Sequence, residues 1–106
     1  MISAYLVDRV NIVKWNGYDS LNRPVATTTV AVRGYVEWKT NLVRDIKGED
    51  VVSPIKVYLH MKRTDKALGR ALRHEDRLSV DGRERSILTI HEPKAFGHPH
   101  YEVYLA

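Results

Sequence analysis

Between Val30 and Leu59 the chain reads VAVRGYVEWKTNLVRDIKGEDVVSPIKVYL, and this stretch limits the possible folds more than any other. Val30, Val32, Val36 and Trp38 share one parity, while Arg33, Tyr35, Glu37 and Lys39 take the other. A period of two with one apolar parity marks a strand with one buried face. Val36 and Trp38 are therefore expected in a core. Gly34 falls on the same parity, where a missing side chain points to a bend or a close backbone approach. Ile55, Val57 and Leu59 alternate with Lys56 and Tyr58, which gives a second strand. Between them, NLVRDIKGEDVVS carries a turn signal at Lys47-Gly48-Glu49. Its apolar residues Leu42, Val43, Ile46, Val51 and Val52 are too many for a solvated loop and too few for a core. Residues 41–52 are expected to form a β-arm that leaves the main sheet and finds its partner on another subunit. A solitary two-stranded hairpin is marginal in water, so such an arm would be mobile alone and ordered on assembly.

The flanking sequence extends the β pattern. Asp8 to Trp15 reads as a strand with Val10 and Ile12 inward, followed by the turn chemistry of Asn16-Gly17 and Asn22-Arg23-Pro24. Val25 to Lys39 reads as one long strand. Thr64 and Asp65 are candidate caps for a short helix over 65–73, with Ala67, Leu68, Ala71 and Leu72 on one face. Leu78 and Val80, the Asp81-Gly82 hairpin signal, and Arg83 to Glu92 follow. His100 to Leu105 closes the chain with Tyr101, Val103 and Leu105 on one face. The expected fold is mainly β: a single domain over 1–106, a small, mostly antiparallel β-barrel with one short helix and a protruding arm. The 60–77 segment would lie across one end.

Composition removes several classes of function. Cysteine is absent, which excludes disulfides and thiolate metal sites. No apolar run approaches the ~18 residues of a membrane helix, and the N-terminus has no basic-then-apolar leader, so neither a membrane partner nor a signal peptide is expected. The serines lack a GxSxG setting, and the glycines are too scattered to cradle a phosphate. No carboxylate pair stands out, so neither an enzyme nor a cofactor is expected. His98, His100 and Glu102 have a spacing that would share a strand face and suit zinc. Pro99 interrupts that strand and no fourth ligand is evident, so an exposed polar face is the simpler reading and no metal is expected.

The net charge of +4 permits an acidic partner. Within 60–77, six basic residues face three acidic ones, and Arg70, Arg73 and Arg77 are candidates to contact DNA or a partner. A solvated helix explains the same run equally well. Tyr35, Tyr58 and Tyr104 take outward parity. They suit cross-strand packing or a protein interface. They also leave open a second function, a monomeric OB-like barrel that binds single-stranded nucleic acid.

Three segments, VKWNGYDSLNRPV, RGYVEWKTNLVRDIKGEDVVSPIKVYL and DRLSVDGRERSILTIHEPKAFGHPHYEVYLA, together resemble the head-closure proteins of tailed bacteriophages, also called stopper or head–tail joining proteins. The likeness runs over nearly the whole chain. It is carried by the GYVEWK strand, the arm returning through VYL, the late Asp-Gly hairpin and the closing HYEVYL strand. The resemblance implies a small β-barrel that forms a homo-oligomeric ring, six-fold in preference to twelve-fold. It implies a portal-side adaptor or connector protein above the ring, a tail-completion or tail-terminator protein below it, and packaged double-stranded DNA in the channel. Such a ring closes the channel, retains the genome and offers the tail a docking platform. The protein would be made in the host bacterial cytoplasm and reside in the virion neck. On this reading Leu42, Val43, Arg44, Ile46, Lys47, Val51 and Val52 make subunit or channel contacts.

Overall fold

Alternating apolar residues supply the staves of a closed barrel in the structure, a computed structural model that describes residues 8–93 and 99–106. The chain order is β1 (Asp8–Lys14), β2 (Thr28–Glu37), β3 (Asn41–Arg44), β4 (Asp50–Ser53), β5 (Ile55–His60), α1 (Met61–Leu68), β6 (Arg77–Val80), β7 (Arg83–His91) and β8 (His100–Leu105). His98 lies outside the described residues.

Six strands close in the order β1-β2-β5-β8-β7-β6, and every neighbouring pair is antiparallel. Val10 and Ile12 of β1, Val57 and Leu59 of β5, and Val103 and Leu105 of β8 are fully buried. These are the inward positions that the period of two assigns. Closure matters for function because every stave has a neighbour on both sides, which limits one-sided pairing to staggered stretches such as residues 28–33 of β2 and 87–91 of β7. β3 and β4 stand apart as a two-stranded sheet. The mainly β fold, the antiparallel barrel, the single short helix and the separate arm all agree with the sequence reading.

Gly34 is a close approach. A Cβ there would sit 2.8 Å from the Tyr58 carbonyl oxygen and 2.9 Å from Leu59 Cδ2. β2 and β5 pair across this point, with Gly34 opposite Leu59.

Three expectations need correction. Trp38 is not a core residue; it is 56% exposed. The β2–β5 ladder ends at the Glu37–Lys56 pair, so one residue later no pleat directs the indole inward. Val36, still within the ladder, is partly buried and packs on the core as expected. The second strand begins at Thr28, not at Val25. Residues 15–27 instead form a pinched loop, held by a Tyr18–Pro24 bridge and by the Asn16 side chain, which donates to the Ala26 carbonyl and the Thr28 hydroxyl.

The helix is also displaced. β5 runs directly into α1, and His60 is its N-cap, its Nδ1 accepting the Arg63 N–H at 3.3 Å. Thr64 is buried within the helix rather than capping it. Gly69, at φ +76°, ends the helix in the left-handed conformation that glycine adopts without a Cβ penalty. Beyond it Leu72 is buried. The buried Tyr101 of β8 ties this segment down, its hydroxyl donating to Asp65 Oδ1 at 2.6 Å and accepting the Leu72 N–H. Burial and then the Asp65 carboxylate push that phenol above its ordinary pKa.

Candidate interaction site

The arm begins where β2 leaves the barrel. β3 and β4 pair in register, Leu42 with Val52, Val43 with Val51 and Arg44 with Asp50. The turn between them is set by Asp45, whose Oδ1 accepts the N–H groups of Lys47 and Glu49 at 2.9 and 3.0 Å. Gly48 takes φ +82° within it, as the Lys47-Gly48-Glu49 signal requires.

The period of two divides the seven expected contact residues between two faces. Val43 and Val51 are partly buried on the side of the hairpin that shares parity with the buried Ser53. Leu42 and Val52 lie opposite one another on the other face, 73% and 61% exposed. Ile46, in the turn, is 65% exposed. Arg44 belongs to the open face and forms a loose, exposed ion pair with Asp50 at 3.6 Å. Lys47 is exposed at the tip. The arm thus presents Leu42, Val52 and Ile46 outward, while Val43 and Val51 serve its inner side.

Two residues at the root escaped the sequence reading. Ser53 is fully buried, and its hydroxyl lies 2.8 Å from the Ile55 carbonyl and 2.7 Å from the Leu105 carbonyl. One proton shared between two carbonyl oxygens fastens the base of the arm to the end of β8. The exposed Trp38 is overlain by the Arg85 guanidinium, 5.7 Å from the ring centroid, and Arg85 also donates to the Ala106 carbonyl at 2.9 Å. The sequence offers no signal that exposes Trp38, which keeps the parity of Val32 and Val36. For Ser53 there is none either.

The three arginines of the basic segment do not form one surface. Arg70 is committed internally. Its Nη1 donates to Asp76 Oδ2 at 2.8 Å and its Nη2 to Asp76 Oδ1 at 2.6 Å, with further bonds to the carbonyls of Trp15 and Ala71. Asp76 is fully buried and also accepts the N–H groups of Trp15 and Arg73. Burial alone would raise the Asp76 carboxyl, but Arg70 and the two N–H groups outweigh it and hold the pKa below the ordinary range. The expectation that Arg70 meets DNA or a partner is therefore corrected: it joins the segment after α1 to the end of β1. Arg73 remains exposed, and Arg77 is exposed with a loose ion pair to Glu84 at 3.6 Å.

The tyrosine face is closely packed. Lys56 Nζ lies over the Tyr58 and Tyr104 rings, at 4.7 and 5.2 Å from their centroids, and bonds Glu102 at 2.9 Å. Tyr35 packs on Tyr58. His100 Nε2 is 3.2 Å from the second Glu102 oxygen. With a lysine ammonium on its carboxylate, Glu102 is poorly disposed to ligate a cation. Among the described residues no metal-holding cluster occurs.

No family model matches this chain, and none of the curated proteins matches it. Among the described residues no helix is long and apolar enough to cross a membrane.

Proposed function

We propose that this protein is a structural subunit of a phage neck, a ring-forming head-closure protein whose arm contacts the neighbouring subunit. One observation carries the reading. The barrel closes on itself, and the chain's separate hairpin holds Leu42, Val52 and Ile46 exposed. A closed barrel associates through what projects from it. The projections also lie at opposite ends: the 15–27 loop, with exposed Tyr18 and Leu21, leaves from the Lys14–Thr28 end of the β1–β2 pair, and the arm leaves from the Asp8–Gly34 end. That disposition suits a ring held between a portal-side connector and a tail-side protein, around packaged double-stranded DNA.

The magnitudes fit assembly on a platform. Fully burying a large aliphatic side chain contributes ~1.5–3 kcal/mol, so three residues roughly two-thirds exposed contribute about 3–6 kcal/mol. Association costs an estimated ~4–15 kcal/mol in lost freedom, so one arm contact does not hold a dimer. A free subunit is expected to be monomeric and to join a ring when a portal complex supplies further contacts. The single-strand-binding alternative has less support, because Lys56 covers rings that would have to stack on bases.

The test is to delete residues 43–50 and join the strands by a short turn. The expected result is a folded barrel and particles that fail to retain packaged DNA. Normal yields of DNA-filled, tailed particles would overturn the proposal.

A further inference from the structure

On the outer face of the barrel, Arg9 of β1 lies directly opposite Arg33 of β2 in the antiparallel register. Like charges facing each other across a ladder destabilise it. No direct contact compensates: among the described residues, neither guanidinium has an ion-pair or hydrogen-bond partner, and both side chains are exposed. The nearest outward positions are Asn11, Ala31 and Tyr35, and the one carboxylate on this face of the two strands, Glu37, lies two pleats beyond Arg33 and opposite Lys56 of β5. Asp8 and Asp81 line a separate hollow with Arg9 and form no ion pair with it. The two arginines line a shallow concavity with Ala31 and Val32, where the small alanine side chain lets a ligand approach the backbone.

We propose that the Arg9–Arg33 pair is an oxyanion site that takes the phosphodiester of a nucleic-acid backbone. An anion between the two guanidinium groups converts their repulsion into two attractions. Each planar fork can offer paired donors to phosphate oxygens, a geometry that lysine does not reproduce. Asn11 and Tyr35 add the neutral donors common in backbone contacts. The site holds no hydrogen-bonding pattern for base edges, so binding would not depend on sequence. The inference stands on the β1–β2 register and is independent of ring formation.

The experiment is fluorescence anisotropy with the full chain, a short labelled DNA duplex, and a single strand of the same length, across a salt series. The wild type is expected to bind with an affinity that falls steeply with salt. Arg33→Gln and Arg9→Gln should each weaken binding roughly ten-fold at low salt and reduce the salt slope by about 1. Neither should lower the unfolding temperature, since each relieves a like-charge pair. Arg23→Gln removes the same charge from the 15–27 loop, at the other end of the β1–β2 pair, and should leave the affinity unchanged. Tighter binding of either polymer supports the site and identifies whether duplex or single strand supplies the phosphate. An absence of binding, wild-type affinity in both variants, an equal loss in Arg23→Gln, or equal affinity for polyglutamate would overturn the proposal.

Discussion

Replacing Arg70 by alanine should damage the fold more than removing any of the exposed arginines. Asp76 is fully buried and receives both arms of the guanidinium at 2.8 and 2.6 Å. The variant keeps the carboxylate and its two backbone donors but removes the counter-charge. Breaking a buried pair from one side costs ~3–5 kcal/mol, because the remaining charge is left uncompensated. Arg70 itself is 17% exposed, so water partly replaces it and about 3 kcal/mol is expected. A domain this size has roughly 5–15 kcal/mol in total, so the loss is a large fraction. Urea denaturation should show a lower midpoint at unchanged slope, and the melting temperature should fall by about 10–20 °C. Arg70→Lys, which retains charge but not the fork, should fall between. The pH dependence gives an independent readout. The folded pKa of Asp76 lies below its unfolded value of about 3.9, so its contribution is fully present above that value. It is lost as pH falls through the folded pKa, and Asp76→Asn should remove that part of the acid sensitivity. An Arg70→Ala unfolding free energy within about 0.5 kcal/mol of wild type would refute the reasoning.

Trp38→Ala should cost less than about 1 kcal/mol by urea denaturation, since the indole is mostly exposed; a loss of ~3–5 kcal/mol would restore it to the core. Gly34→Ala should destabilise by about 1–3 kcal/mol, because its Cβ would meet the Tyr58 carbonyl oxygen at 2.8 Å; wild-type stability would show that β2 and β5 separate easily. Ser53→Ala should leave two buried carbonyls short of a donor, costing about 1–3 kcal/mol, and should speed amide exchange at the base of the arm.

The sequence was most informative where burial and alternation coincide. Val10 and Ile12, and the triplets Ile55, Val57, Leu59 and Tyr101, Val103, Leu105, all point inward as their spacing requires. The arm was legible for the converse reason: its apolar residues had no place in a solvated loop. Positions set by contacts distant in sequence were not legible. Arg70 sits in a run of basic residues, and only the fold brings Trp15 and Asp76 to it. Trp38 obeys the parity of its neighbours, yet the ladder stops one residue before it. The helix start was misplaced because His60 supplies a cap through its ring nitrogen, a role that serine, threonine or aspartate more often fills. The opposition of Arg9 and Arg33 is a matter of register, which the separate strands do not reveal.

The central claim is that the open face of the arm is covered by a neighbouring copy in a ring. A cryo-EM map of the neck of particles carrying this protein tests it directly. The account predicts closed barrels arranged with rotational symmetry beneath the portal, with Leu42, Ile46 and Val52 packed against the adjacent subunit. A neck without this chain, or a ring in which those three side chains face solvent, would contradict it.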